Sequence, residues 1–206
     1  MNGRVEVVAS VADAFAGLVT DQLAGPRTGG FSFFLSGGSS AGDAYRRLAE
    51  TSAAAVDWTT VDAYWGDERC VSIDDEDSNY RLCHQTLLDR VGPLHTEHPM
   101  YRSGTPEDAA ADYQAQLEAL SSFDLIHLGM GPDGHTASLF PESDALAIDD
   151  PDVLVVANRD PLASPFRPST GPGWWCSPCP GRPSTTPSPG WRPATTCRRP
   201  EWQLMK

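Results

Sequence analysis

The chain has 206 residues and a formal net charge of −13. That length suffices for one domain with a sizeable core, and the charge disfavours nonspecific attraction to nucleic acid or anionic lipid. No run approaches the roughly 18 apolar residues of a membrane span, the opening "MNGRVEVVAS" lacks a secretory apolar stretch, and five cysteines without framework spacing point to a reducing cytoplasm.

"VASVADAFAGLVTDQLAGP" places Val11, Phe15, Leu18, Val19 and Leu23 at helical spacing and stops at Gly25-Pro26. "FSFFLS" (31–36), bounded by glycines, predicts a buried strand. "SGGSS" follows, and "AGDAYRRLAE" reads as helix. "VDAYW" (61–65) predicts a second strand, ending in "GDER". "SNYRLCHQTLLDRV" (78–91) is a helix with Ser78 or Asn79 as its cap. "TPEDAAADYQAQLEALSS" has Thr105 as cap, Pro106 in the first turn and acids next, the favoured order for a helix start. "FDLIHLGMG" predicts a third strand and "DVLVVAN" (152–158) a fourth, with "HTASLF" opening a short helix between them.

This alternation predicts an α/β fold: a three-layer, Rossmann-like, mostly parallel sheet with helices on both faces. Right-handed crossovers place the strand C-termini on one edge, where open α/β sheets bind ligands. "SGGSS", "GDER" and "GMGPDGH" should therefore converge.

The composition breaks near residue 160. Residues 161–206 hold 11 of the 18 prolines and carry six basic residues against one acid. Proline at that density blocks both helix and sheet ladders, so this Pro/Arg-rich tail should lack regular structure and leave the fold incomplete at its C-terminal end. A single lysine, Lys206, marks a GC-rich coding sequence. Such a gene read in an aberrant frame yields Pro, Arg, Ser and Gly with stray Trp and Cys; a natural Pro-rich extension is the other reading. "CSPC" (Cys176, Cys179) has too few partners for zinc and no βαβ context for redox work. The domain expectation is thus 1–160 for the α/β unit and 161–206 for the tail.

At "LSGGSS", Gly37 and Gly38 allow backbone N–H groups to face an anion, and Ser39 and Ser40 add hydroxyl donors at a helix start. No Walker lysine and no dinucleotide fingerprint is present, so a small phosphate ester fits; a tight turn that binds nothing is the alternative. Asp67, Glu68 and Arg69 end a strand, and Arg81 returns on the next helix. Arg69 or Arg81 suits bidentate phosphate binding, and Asp67 suits sugar hydroxyls. Alternatively, Asp67 and Glu68 cap the next turn and pair with Arg69. The "DDED" run (74–77) reads as a solvated loop. In "GMGPDGHTASLFP", Gly131 leaves room for a ligand, while Asp133 and His135 stand two apart around Gly134. An imidazole of ordinary pKa, about 6.5, takes a proton from water at neutral pH. Asp133 capping a helix beside a merely packed His135 is the alternative. His127 reads as a core residue, His84 lies on a helix, and His95 and His98 in a loop. None has ligand spacing with a carboxylate, so no catalytic metal is expected.

"LSGGSS", "WGDERCVSIDDEDSNYR" and "FDLIHLGMGPDGHTASLFP", in this order, resemble the 6-phosphogluconolactonases over about residues 5–160. The resemblance implies the fold shared with glucosamine-6-phosphate deaminase and ribose-5-phosphate isomerase. It also implies hydrolysis of 6-phospho-D-glucono-1,5-lactone in the pentose phosphate pathway, without metal or cofactor. His135 falls on the family's general base, Asp133 on the acid of its "PDGH" motif, and Arg69 on a substrate-phosphate ligand. Gly37, Gly38 and Ser39 fall on the glycine-rich loop. Amides near His135 are expected to stabilise the oxyanion. In the related deaminases a glutamate stands where this chain has Phe140, and it assists the histidine. Two departures are visible: Ser40-Ala41 replaces the family's Thr-Pro, and no Lys follows the fourth strand, where Arg159 or Arg167 are the nearest cations. The expected partner is a small phosphosugar lactone, met by a cytoplasmic monomer that uses neither nucleic acid nor membrane. Deaminase-like isomerisation, a non-catalytic sugar-phosphate module and an inactive truncated product are the alternatives.

Overall fold

Phe31–Leu35 forms β1, and all five residues are buried. A strand buried at every position needs cover on both faces, the pattern of a central parallel strand. The computed structural model describes residues 5–26, 29–120, 122–148, 155–157, 161–163 and 174–178. Val61–Trp65 (β2) pairs parallel with β1 in the register Phe31↔Val61 to Leu35↔Trp65. Leu125–Met130 (β5) pairs parallel on the other side, with Phe33 opposite Leu125. Thr96–His98 (β4) and Trp174–Pro178 (β8) complete a five-stranded parallel sheet in the order β4-β2-β1-β5-β8.

The helices begin where capping chemistry dictates. Val11–Ala24 (α1) starts at Ser10, whose side chain accepts from the Asp13 amide. Ser39–Ser52 (α2) starts at Gly38, which offers no side-chain cap. Ser78 caps Asn79–Cys83, which continues through a π-helical turn, His84–Leu88, to Val91. Thr105 caps Pro106–Glu118, with proline in the first turn. Helix α1 buries Phe15, Val19 and Leu23, whereas Leu18 turns outward. Each large side chain taken fully out of water contributes about 1.5–3 kcal/mol, so Phe15, Phe33, Tyr45, Trp65 and Tyr113, at most 1 % exposed, dominate the core.

Three expectations change. The strand expected at 152–158 is represented by Val156–Ala157 (β6), which pairs antiparallel with Pro161–Ala163 (β7). It belongs to a separate three-stranded sheet, β3-β7-β6, in which Asp67–Arg69 is β3. The parallel sheet gains β4 instead, so His98 lies in a strand rather than a loop. "TEH" has three polar residues and no alternation, so no sequence signal marks it. The helix expected at "HTASLF" is absent. Thr136 and Leu139 bridge a tight turn in which Ala137 (φ 48°) and Ser138 (φ 59°) are both left-handed. Pro141 blocks helical continuation, and the Thr136 hydroxyl donates to the Gly129 carbonyl at 2.7 Å.

Strands β7 and β8 fall inside the 161–206 segment, so two stretches of it pair. The rest of that segment, Arg159 and Cys179 lie outside the described residues. No described helix is long and apolar enough to cross a membrane.

Candidate functional site

The three loops that the topology sends to one sheet edge do meet. At the end of β1, the Ser36 amide donates to the Tyr45 hydroxyl at 2.7 Å. The same hydroxyl shares a hydrogen bond with the Nδ1 of His127, 2.8 Å away. His127 is a fully buried core residue, as its sequence position suggests, and burial pushes its pKa down to about 3. At the end of β2, Tyr113 from the 106–118 helix accepts from the Trp65 amide and donates to its carbonyl, at 2.8 and 3.0 Å. Both exit points are thus held by phenols from packed helices.

Beyond Trp65, Asp67 and Glu68 divide the two roles left open by the sequence. Glu68 is the structural carboxylate: 2 % exposed, it accepts from the amides of Arg69, Asn79 and Tyr80. It thereby neutralises the N-terminal end of the 79–91 helix. Burial pushes its carboxyl up, and these three amides oppose the rise. Asp67 instead faces a cavity of about 350 Å³ lined by Asp67, Arg69, Asp77, His135, Ser138 and Phe140. Burial pushes the Asp67 carboxyl up from its ordinary range, opposed by the Ser138 hydroxyl and by the charges of Arg69 and His135.

Asn79 joins two of the loops. Its side-chain amide donates to the carbonyl and the Oδ1 of Asp67, at 2.9 and 3.2 Å. The same amide packs on Gly37 so closely that a Cβ there would overlap it. Only glycine permits this approach. Gly37, Gly38, Ser39 and Ser40 are not among the residues lining the cavity. Ser40 Oγ is buried and has no partner among the described residues.

The third loop carries the titratable pair. The Asp133 carboxylate accepts from the His135 amide at 3.2 Å and from its Nδ1 at 2.5 Å. An ionised carboxylate only accepts, so Nδ1 carries the proton, and in the neutral imidazole Nε2 is the acceptor. The hydrogen bond from His135 holds the Asp133 carboxyl below its usual range. Gly131 is needed here as well, because a Cβ on it would overlap the imidazole. The Phe140 ring covers the imidazole, with centroids 4.6 Å apart.

Arg81 and the turn amides have other partners here. Arg81 does not line the cavity; its Nη1 donates to the Asp74 carbonyl at 2.8 Å. The spacing of a helix turn could not reveal that the acidic loop captures it. The amides expected to face an oxyanion are largely committed within the turn. His135 N–H serves Asp133, Gly134 N–H serves the Gly131 carbonyl, and Leu139 N–H serves Thr136. Arg69 does line the cavity, but its Nη1 is also donated, to the Asp77 carbonyl at 2.6 Å. The "DDED" residues are exposed, as expected of a solvated loop, with Asp77 at the cavity rim. Sequence reasoning missed Asn79 and Ser138 as parts of the site. The sequence marks Asn79 only as a candidate cap and places Ser138 in a helix.

The family model described as glucosamine-6-phosphate isomerases/6-phosphogluconolactonase matches residues 3–169. Over 136 residues the chain is 40% identical to a 6-phosphogluconolactonase of Synechocystis sp., covering 61% of this chain and 55% of that protein. A 6-phosphogluconolactonase of Nostoc sp. is 37% identical over 142 residues, or 64% of this chain and 58% of that one. The chain thus spans about half the length of the curated relatives it matches. The crystal structure of a 6-phosphogluconolactonase from Shewanella baltica superposes with a TM-score of 0.65 at 29% identity, covering 74% of this chain and 69% of the other.

Proposed function

Because the chain belongs to the family of glucosamine-6-phosphate isomerases and 6-phosphogluconolactonases, we propose that it hydrolyses 6-phospho-D-glucono-1,5-lactone to 6-phosphogluconate. One observation carries this reading: His135, with Nδ1 engaged by Asp133 and Nε2 left as a base, lines the same cavity as the Arg69 guanidinium. In the proposed reaction Nε2 removes a proton from water as the oxygen attacks the lactone carbonyl. The tetrahedral intermediate then collapses. The ring C–O bond breaks, and the imidazolium returns its proton to the departing ring oxygen. Asp133 keeps the imidazole in one tautomer and stabilises its transient charge. Arg69 exchanges the Asp77 carbonyl for the substrate phosphate, and Asp67 accepts from sugar hydroxyls.

The identity of the cavity wall supports hydrolysis over isomerisation. Phe140 packs on His135 at the position where the deaminases resembled by the sequence carry a carboxylate. An aldose–ketose proton shuttle needs such a group, whereas ester hydrolysis needs only activated water. All these side chains lie within residues 1–160. The same reading has the chain working as a cytoplasmic monomer on a small molecule. The test supplies purified chain with freshly generated lactone and, separately, with glucosamine 6-phosphate. Accelerated acid release from the lactone without ammonia release from the amino sugar is expected. The reverse pattern would overturn the assignment.

A further inference from the structure

The turn after β5 is built against local preference. Ala137 and Ser138 are adjacent left-handed residues and neither is glycine, a conformation that disfavours any side chain with a Cβ. Such an arrangement persists only where surrounding contacts hold it. Two contacts are visible. The turn returns Phe140 over His135. It also buries Ser138, 5 % exposed, and delivers its hydroxyl to Asp67 Oδ2 at 2.5 Å across 71 residues of sequence. Asp67 Oδ1 is meanwhile held by Asn79.

We propose that Ser138 is a positioning residue for substrate: its hydroxyl fixes the Asp67 carboxylate as a hydrogen-bond acceptor for the hydroxyls of a polyol ligand and ties that acceptor to the loop bearing His135. The inference rests on the reading of the cavity as a phosphosugar site. The geometry is specific. With Oδ2 taking the Ser138 hydrogen bond and Oδ1 the Asn79 amide, the carboxylate plane is fixed from both sides, and its remaining lone pairs are acceptors for a ligand in the cavity. The Ser138 hydroxyl also favours the ionised form, against the burial that pushes this carboxyl up. A protonated Asp67 would donate as well as accept, and its preference for hydroxyl donors would be lost.

Two variants separate the hydroxyl from the backbone. Ser138→Ala removes the hydroxyl and keeps the strained conformation. Ser138→Gly removes the hydroxyl and relaxes the strain. If Ser138 acts through its hydroxyl, both variants weaken 6-phosphogluconate binding, measured by calorimetry, by roughly tenfold, the scale of a hydrogen bond to a charged group. Both also raise the Asp67 pKa followed by carboxyl NMR, although Ser138→Gly melts at a higher temperature than Ser138→Ala. In an Asp67→Asn background neither change weakens binding further. Full binding and an unshifted Asp67 in Ser138→Gly would overturn the proposal and leave the serine a purely conformational role. The Asp67 titration needs no turnover. A chain that lacks lactonase activity yet shows the shift would therefore refute the function and retain the positioning role.

Discussion

The Asn79 side-chain amide lies against Gly37 with no room for a Cβ between them, and its Nδ2 donates to Asp67. The glycine turn after β1 and the acid after β2 are therefore one packed unit. Gly37→Ala must push Asn79 away, an overpacking change that costs about 1–3 kcal/mol. Thermal melts should show a lowered midpoint, and binding of 6-phosphogluconate should weaken as Asp67 loses its support. Adding Asn79→Ala should recover part of the lost stability, because it removes the overlapping group. A double variant less stable than the sum of the two single effects would contradict this packing.

Arg69 is the cavity's guanidinium, and its planar fork suits a phosphate bidentately. Arg69→Lys keeps the charge and loses the fork. KM for the lactone should rise about tenfold, with kcat changed less, because the phosphate lies away from the reacting carbon. Arg81→Lys serves as the comparison, since Arg81 is engaged with the Asp74 carbonyl. It should leave KM within about twofold, inside the range expected of a surface change. Equal KM increases in both variants would return Arg81 to the site.

His127 makes stability depend on pH in a defined direction. Burial lowers its pKa from 6.5 to about 3, so the folded chain keeps it neutral where the unfolded chain protonates it. The unfolded state then binds more protons below 6.5, and this contribution is lost as pH falls from there toward about 3. The slope reaches about 1.4 kcal/mol per pH unit. His127→Gln keeps an acceptor for Tyr45 and removes the titration. Urea unfolding at pH 7.5, 6 and 5 should show the wild type losing stability faster than the variant as pH falls. Parallel curves would contradict the assignment.

Asp133 holds the Nδ1 of His135, the one imidazole among the described residues lining the cavity. Asp133→Asn offers a donor as well as an acceptor and permits the opposite tautomer, with the proton on Nε2. Lactone kcat should fall by at least about a hundredfold, the scale of a positioned general base, while ligand binding changes little. An unchanged kcat would leave Asp133 a structural role only.

The elements carried by local chemistry were legible. The caps at Ser78 and Thr105 and the buried run of β1 are written in adjacent residues. The convergence of the three loops followed from parallel topology, which strand and helix order already implied. What escaped was long-range. Ser138 meets Asp67 across 71 residues, and Tyr113 meets the end of β2 across 48. No local pattern encodes those meetings. Strand β4 escaped because a three-residue polar edge strand is defined by the neighbour it pairs with. The bond from Arg81 to the Asp74 carbonyl escaped as well, because the sequence does not distinguish one backbone carbonyl from another.

The central claim is that the His135 imidazole activates the water that opens the lactone. The direct measurement compares lactone hydrolysis by the wild type and His135→Ala, alongside 6-phosphogluconate affinity for both. The account predicts that the variant falls to the spontaneous rate while affinity stays within a few-fold, since His135 acts on water rather than on the phosphate. A variant that hydrolyses the lactone as fast as the wild type would contradict it.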